Sequence, residues 1–179
     1  MPTASVAPGR FEQVRTFLNT WRLPHETRIP EDVLADLASD ADNWLAQLPD
    51  VPLPRHAELA ELVELRSALR ATLGQPVPGA LREWFDRHPI GVAIGDEQAI
   101  RYVPRDASAP AAVLGLVVEA LAGNLWARLK SCPDCRNVFY DHSRNHSRTW
   151  CAMYAETPDG RACGSIAKVR AYRDRNRDT

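Results

Sequence analysis

The four cysteines of this 179-residue chain all lie between residues 132 and 163, and the first two form a knuckle with two residues between them. They are Cys132, Cys135, Cys151 and Cys163. Four thiolates fill the tetrahedral shell of one zinc ion, and the knuckle spacing lets two sulfurs turn toward the same ion. Since this segment has few large apolar side chains, we expect a structural Zn²⁺ to organise its fold.

The spacing leaves the ligand set open. Fifteen residues separate Cys135 from Cys151, as between the knuckles of zinc ribbons, but 11 separate Cys151 from Cys163. The first knuckle could instead join His142 and His146. Only six residues separate Cys135 from His142, against roughly 12 in fingers with two cysteines and two histidines, which leaves no room for their hairpin and helix. We therefore favour four cysteines over mixed ligation or no metal.

Charge divides the chain into an acidic body and a basic end. Residues 128–179 carry 11 Lys/Arg against 6 Asp/Glu, while residues 1–127 carry 11 against 17. Such a basic end is typical of proteins that bind polyanions. We find no apolar run of signal-peptide or membrane-span length, so we expect a cytoplasmic protein with no membrane partner. In that reducing compartment, clustered cysteines indicate metal binding rather than disulfides.

Apolar periodicity predicts a mainly helical N-terminal domain over residues 1–127. The expected helices run from Phe11 to Trp21, from Pro30 to Leu48, from Arg55 to Leu73, over 78–88, and from a cap at Ser108 into Cys132. Alternating residues around the turn at 95–98 predict one β-hairpin. The predicted fold class is therefore α+β and mainly α, with residues 128–179 forming a small zinc finger of the treble-clef or ribbon type that ends in a basic helix.

The residues around the cysteines are distinctive. They read CPDCRNVFYDHSRNHSRTWCAM and then CGSIAKVRAYRDR, which resembles the CGNR-type zinc finger at the C-terminus of bacterial proteins with an ABATE-type N-terminal domain. The elements FLNT at 17–20, WL at 44–45 and LRSALR at 65–70 are similar to that companion domain. The resemblance implies a transcription regulator whose finger binds zinc and DNA and whose N-terminal domain senses a signal.

Two departures from the family pattern bear on this interpretation. The signature Cys-Gly-Asn-Arg stands here as Cys163-Gly164-Ser165-Ile166, so an arginine near the start of the last helix is missing. This puts the DNA contact or its specificity in question. A segment over 154–161 also lengthens the gap before Cys163, but metal binding stays feasible because loop length adds little closure entropy.

The last helix supplies most of the candidate DNA contacts. Ser165 is expected to cap it, and Ile166, Val169 and Tyr172 are expected to face the zinc core. Basic side chains left in solvent would favour phosphates through counterion release, and an arginine fork can also read guanine. The candidates are Lys168, Arg170, Arg173 and Arg175, with Arg144 and Arg148 from the loop between the cysteines. A helix that is simply solvated is the alternative for any one of them.

A small-molecule site is a weaker candidate in the N-terminal domain. Asn19, Arg66 and Arg70 lie on or beside apolar stripes, so they are either hydrogen-bonded inside the fold or turned toward a pocket. Polar residues at such positions more often have the first, structural role. In a pocket, the two arginines would suit an anion or carboxylate, with the asparagine fixing its orientation.

The leading functional hypothesis is a DNA-binding regulator, with a small-molecule effector and a homodimer as further candidate partners. The runner-up is a protein-interaction module in which zinc holds a rigid scaffold. An enzyme comes third and no catalytic residues are assigned, because the sequence offers no acidic metal pair, glycine-rich phosphate loop or nucleophile elbow. If the protein were an enzyme, we would expect a metal nuclease that uses Asp141, His142, Asn145 and His146.

Overall fold

The computed structural model describes residues 5–74, 79–95, 100–153 and 162–176, and in these ranges the chain forms seven α-helices and three two-stranded antiparallel sheets. No helix in these ranges is both long and apolar enough to cross a membrane. The protein is thus a mixed fold of helices and small hairpins, with the cysteines gathered in its C-terminal part.

The elements follow one another with short connections. In chain order they are α1 (Phe11–Leu18), β1 (Trp21–Arg22), β2 (Glu31–Asp32), α2 (Leu34–Ala38), α3 (Ala41–Gln47), α4 (Leu59–Ala71), α5 (Arg82–Arg87), β3 (Ile90–Ile94), β4 (Ile100–Pro104), α6 (Ala109–Ala122), β5 (Leu129–Ser131), β6 (Val138–Tyr140) and α7 (Cys163–Arg175). Short 3₁₀ turns at His56–Glu58, Gly79–Leu81 and Trp126–Arg128 precede α4, α5 and β5. The three sheets pair β1 with β2, β3 with β4 and β5 with β6.

The core lies where α1, α4 and α6 pack together. Phe17 of α1, Leu65 of α4 and Leu114 of α6 are fully buried. Ser108 caps α6 as predicted, and its Oγ accepts a hydrogen bond from the Ala111 amide at 3.3 Å. Most of α6 is apolar and buried, and each large side chain removed from water contributes roughly 1.5–3 kcal/mol. This helix is therefore the centre of the fold.

The apolar core continues past the predicted domain boundary. Leu129, Val138 and Tyr140 of the β5–β6 hairpin belong to the same buried cluster as Phe11 and Trp126. The Tyr140 ring meets the Phe11 ring edge-on, with their centroids 6.3 Å apart. The first strands of the finger therefore pack on the N-terminal helices, although the division of the chain into two domains stays a prediction.

The prediction for the first helix was wrong at its end. The helix stops at Leu18, and Trp21 lies in strand β1 instead. Thr20 turns its hydroxyl back to donate to the Phe17 carbonyl at 2.7 Å. A side chain bonded to the backbone in this way competes with the next helical turn and ends the helix.

The single helix expected from Pro30 to Leu48 is also wrong. Strand β2 comes first, followed by the two short helices α2 and α3. Asp40 separates the helices, because it takes an extended backbone (φ −119°, ψ 100°) and its carboxylate accepts from the Asn43 amide at 3.1 Å. This is an N-cap, and it starts a new helix within the apolar stripe. The N-terminal part consequently has a second strand pair, β1–β2, beside the predicted hairpin.

Other predicted elements are confirmed, with one error near the finger. Strands β3 and β4 pair antiparallel as expected, while most of the turn predicted at 95–98 lies outside the described residues. The helix that begins after Ser108, however, ends at Ala122 rather than running into Cys132. Asn124 adopts φ 55°, and a 3₁₀ turn and strand β5 follow. A strand, not a helix, therefore leads into the first cysteine.

Candidate metal centre

The four cysteines come together from three parts of the chain. Cys132 and Cys135 lie in the turn between β5 and β6, Cys151 in the following loop, and Cys163 is the first residue of α7. Their Sγ atoms all lie within 4.8 Å of one another, and all four residues are buried and not disulfide-bonded. The structure thus gathers the predicted ligand set.

The spacing of the sulfurs fits tetrahedral zinc. The Sγ of Cys151 lies 3.4 Å from the Sγ of Cys135 and 3.7 Å from the Sγ of Cys163. Zn–S bonds of about 2.3 Å give a tetrahedron with edges of about 3.8 Å. His142 and His146 are exposed instead, and a ring nitrogen of His142 contacts the Val6 carbonyl at 2.7 Å. Ligation by His142 and His146 therefore has no support in the described residues.

The four thiols of the cluster influence one another's ionisation. Hydrogen bonds from the Cys135 and Cys151 thiols lower the pKa of Cys132. Hydrogen bonding to Cys132 in turn raises the pKa of Cys135 and of Cys151, while burial raises that of Cys163. A divalent ion bound here would hold all four sulfurs as thiolates.

The knuckle geometry explains why the first two sulfurs converge. The Cys132 amide donates to the Asn137 carbonyl, and the Arg136 amide to the Cys132 carbonyl, both at 2.9 Å. Arg136 takes the left-handed conformation, φ 60°, that reverses the chain. The backbone amides of Cys135 and Asn137 also donate hydrogen bonds to the sulfurs of Cys132 and Cys135, respectively, which favours the thiolate form of each. The turn presents N–H groups to the thiolates, as the two-residue spacing predicted.

The first turn of α7 packs directly on the loop that carries Cys151. The Gly164 amide donates to the Ala152 carbonyl at 2.9 Å, and the Ser165 hydroxyl to the Met153 carbonyl at 2.5 Å. A Cβ at Gly164 would overlap the Met153 Sδ and come within 3.2 Å of Trp150. A side chain after the last cysteine would therefore have to displace the Met153 thioether and crowd Trp150, so glycine suits the close approach of Cys163 to the other sulfurs.

Two predictions for α7 are wrong. Ser165 does not cap the helix, because α7 already begins at Cys163. Val169 and Tyr172 do not face the zinc core, since they are 48% and 61% exposed, and only Ile166 is half-buried. The cluster around the cysteines is small, so one helical turn covers it and the rest of α7 extends beyond it.

The predicted DNA contacts comprise one half-buried residue and five exposed ones. Arg148 is half-buried: its Nε donates to the Trp150 carbonyl at 2.9 Å, its Nη2 to the Cys151 carbonyl, and its guanidinium lies 5.1 Å from the centre of the Phe139 ring. This arginine ties down the loop around the third cysteine. The exposed residues are Arg144, Lys168, Arg170, Arg173 and Arg175.

A buried ion pair that the sequence did not reveal organises the loop between the cysteines. Lys130 Nζ lies 2.7 Å from the Asp141 carboxylate and also donates to the carbonyls of His146 and Arg148. Burial would raise the pKa of Asp141, but hydrogen bonds from Lys130 and from the amides of Ser143 and Arg148 lower it to about 2. No apolar pattern or motif in the sequence marks Lys130. Its pairing with the Asp141 carboxylate becomes visible only in the folded structure.

Side chains of the N-terminal part hold the knuckle by its backbone. Asn19 makes two hydrogen bonds with Val138, donating to its carbonyl at 2.9 Å and accepting from its amide at 2.8 Å. Arg70 donates to the carbonyls of Leu18 and Arg136, and burial lowers its pKa to about 10. Two of the three candidate ligand residues therefore bind the finger within the fold.

The third candidate, Arg66, is bonded within the N-terminal core. Its guanidinium is 2% exposed and pairs with both carboxylate oxygens of Asp32, and it also donates to the Thr20 hydroxyl at 2.7 Å. A polar cleft of about 780 Å³ opens between α1 and α3, beside Asn19 and Asn137. Neither Arg66 nor Arg70 lines it. The structure thus does not bring the three candidates together in one cleft, and ligand binding stays a prediction.

The Asp32→Asn variant is expected to destabilise the protein by roughly 2 kcal/mol, because it leaves the buried Arg66 charge without a counter-charge. The carboxylate is 43% exposed, so the loss falls below that of a fully buried pair. Urea unfolding of the zinc-loaded protein measures it, with Glu64→Gln on the exposed side of α4 as the control. An Arg66→Met variant that loses more stability than Asp32→Asn would contradict this account.

Comparison with known families supports the metal centre and leaves the rest open. Residues 128–176 match the CGNR zinc finger family, whereas no curated protein matches the chain. The similarity of the N-terminal part to an ABATE-type domain stays a prediction. Residues 128–176 are thus similar to the CGNR zinc finger, and their four buried, closely spaced cysteines are consistent with one structural zinc ion.

Proposed function

We propose that this protein is a DNA-binding transcription regulator whose zinc finger, folded as a treble clef, presents α7 to the duplex. The exposure of α7 is the observation that carries the proposal. The helix starts at the metal ligand Cys163, and Lys168, Arg170, Arg173 and Arg175 are all exposed along it. A helix fixed at one end by zinc, with basic side chains exposed along its length, can enter a groove.

The charge of this surface suits nucleic acid. Lysines and arginines beside phosphates release counterions, which gives sequence-independent affinity, and an arginine fork can also bind guanine edges in the major groove. Arg144, exposed in the loop between the cysteines, could add a backbone contact. Arg148 is left out of the proposed contacts because its guanidinium is bonded to the protein.

The N-terminal part would act as the sensing unit of this regulator. The polar cleft beside α1 is lined by Arg15 and Asn19 on one side and by Asn137 of the knuckle on the other. A small polar effector bound there would touch both parts of the protein. We include the effector, a cytoplasmic location and a homodimer in the proposal, in keeping with the ABATE-like elements of the sequence.

The double variant Lys168→Ala/Arg173→Ala is expected to weaken binding to mixed-sequence DNA at every salt concentration. Each lost phosphate contact should lower the slope of log K against log salt by about 1. Mobility shifts of the zinc-loaded protein over a salt series measure this. Arg82→Ala, which removes an exposed arginine from α5, is the matched control and should leave the slope unchanged.

Two outcomes would count against DNA binding. The wild-type protein could fail to shift DNA at low salt, or it could bind with an affinity that salt does not change. If the double variant bound as tightly as wild type, α7 would not be the DNA contact. Circular dichroism of each variant is needed to show that the finger is intact.

A protein partner is the second candidate function. Val169 and Tyr172 are large side chains exposed on α7, and an aromatic or apolar residue beside arginines is common at the centre of protein interfaces. The missing signature arginine at Ile166 also favours this alternative. It predicts that Tyr172→Ala abolishes partner capture while salt-dependent DNA shifts are absent in both proteins.

A further inference from the structure

A histidine from the N-terminal part lies beside the metal centre. His25 belongs to the loop between β1 and β2, and a ring nitrogen of His25, a carboxylate oxygen of Asp134 and the Sγ of Cys163 all lie within 4.8 Å of one another. Asp134 is the knuckle residue that precedes Cys135, and its side chain is only 7% exposed. The loop and the finger thus meet at one of the four sulfurs.

The His25 ring has an unused hydrogen-bonding atom at this place. Its Nδ1 is buried and has no hydrogen-bond partner among the described residues. A buried polar atom without a partner costs about 1–3 kcal/mol, so such atoms are rare unless a further group satisfies them. The polar atoms gathered around this ring are a sulfur and a carboxylate oxygen, and both accept hydrogen bonds when they are charged.

The loop that carries His25 is held in position. Arg28 takes the left-handed conformation, φ 56°, and its Nη2 donates to the Asp134 carbonyl at 2.7 Å. The same nitrogen lies 3.6 Å from the Asp134 carboxylate. The Arg28 amide also closes the loop by donating to the Pro24 carbonyl at 3.1 Å. The histidine is therefore placed beside the finger by specific contacts to the knuckle.

The negative charge of a zinc-loaded centre would be stabilised by a hydrogen-bond donor beside the Cys163 sulfur. Four thiolates and one Zn²⁺ carry a net charge of −2, and the Asp134 carboxylate adds to it. Arg28 and Arg170 each lie 3.6 Å from that carboxylate, so it is partly balanced. A hydrogen bond to a thiolate favours its charged, metal-binding form and opposes its protonation.

We propose that His25 is a positioning residue of the zinc site, donating a hydrogen bond from Nδ1 to the Cys163 thiolate when the metal is bound. The inference rests on the zinc assignment and does not depend on DNA binding. It means that the β1–β2 loop of the N-terminal part contributes to how tightly the finger holds its metal. Movement of that loop would then change the affinity for zinc.

A cavity beside His25 makes the inference testable with small reagents. It measures about 470 Å³ and is lined by His25, Glu26, Cys135 and Asn137, among others. Chelators and alkylating agents can therefore approach Cys135 on the side of the histidine. Loss of the Nδ1 hydrogen bond should therefore have its largest effect on the reactions of reagents that enter through this cavity.

The test compares full-length His25→Ala and His25→Asn variants with wild type, because asparagine can place its amide nitrogen where Nδ1 lies. Competition with a colorimetric chelator should show that His25→Ala weakens zinc binding roughly tenfold, the lower end of what loss of such a partner costs. Cobalt-loaded His25→Ala should show a shifted sulfur-to-cobalt charge-transfer band. His25→Asn should restore both properties in large part, and the exposed His56→Ala control should match wild type.

Three results would overturn the proposal. The His25→Ala variant could keep wild-type affinity and a wild-type cobalt spectrum. Both variants could weaken zinc binding equally with unchanged spectra, which would indicate a role in loop packing alone. Zinc loading and release could both become slower in His25→Ala, which would identify the histidine as an entry port for the ion rather than a thiolate donor.

Discussion

Removal of the metal is expected to unfold the finger rather than merely empty it. The buried cluster around the cysteines has Phe139 as its one large apolar member among the described residues, with Trp150 and Ala152 partly buried against it. Such a cluster cannot offset the chain entropy of ordering the loop and α7. Structural zinc contributes about 10–16 kcal/mol of apparent binding energy in small fingers, which is more than the stability of most domains.

The loss should spread beyond the cysteines. Leu129, Val138 and Tyr140 belong to the main apolar core, so loosening of the β5–β6 hairpin exposes part of that core as well. We expect a strong chelator to remove helical circular dichroism from α7, to open the chain to proteases between residues 141 and 153, and to lower the melting temperature of the remaining helices. Zinc added back should restore all three properties. Unchanged structure after verified metal loss would contradict this expectation.

The Asp141→Asn variant is expected to destabilise the zinc-loaded protein by roughly 3 kcal/mol, the lower end of the cost of breaking a buried ion pair. The carboxylate is fully buried and remains charged at neutral pH, because its pKa is about 2. Its loss leaves the Lys130 ammonium, which is 21% exposed, facing a neutral amide. Urea unfolding at neutral pH measures the effect.

Two comparisons separate the pair from simpler effects. Asp42→Asn changes an exposed carboxylate in the first turn of α3 and should alter stability by a few tenths of a kcal/mol at most. A Lys130→Met/Asp141→Asn double variant should lose less stability than the sum of its single changes, since the two groups interact directly. Full additivity would show that the pair is not coupled.

The sequence predicted those features that have a local or covalent signal. The two-residue knuckle, the Ser108 cap and the pairing of β3 with β4 each depend on a few neighbouring residues, and the structure confirms them. The cysteine cluster was predicted because four thiols that include a two-residue knuckle favour a zinc site, and because the expected cytoplasmic location disfavours disulfides.

The errors in the predicted helices concern features that the spacing of apolar residues does not determine. An apolar stripe between Pro30 and Leu48 fits one helix as well as two, and a single capping bond at Asp40 decides between them. The stripe of Ile166, Val169 and Tyr172 predicted a buried face, but the zinc cluster is too small to cover more than the first turn. The spacing of apolar residues shows which side of a helix could be buried, but not how far along the helix the core extends.

Polar contacts between distant segments were the hardest to foresee. Asn19 and Arg70 were identified as polar residues beside apolar stripes, yet their partners are backbone atoms of Val138 and Arg136 in the finger. The ion pair of Lys130 and the position of His25 beside Cys163 had no signal in the sequence at all. Such contacts depend on the relative placement of the two parts, which only the fold supplies.

Elemental analysis of the purified full-length protein tests the central claim most directly. The wild-type chain should carry one zinc ion, and Cys163→Ser should lose most of it to a chelator that leaves wild type loaded, because one of the four thiolate ligands is gone. Ser131→Ala, which changes an oxygen beside the knuckle and no ligand, should retain the metal. A wild-type protein that contains no zinc after zinc-replete growth, or a Cys163→Ser variant that holds it as tightly, would contradict the account.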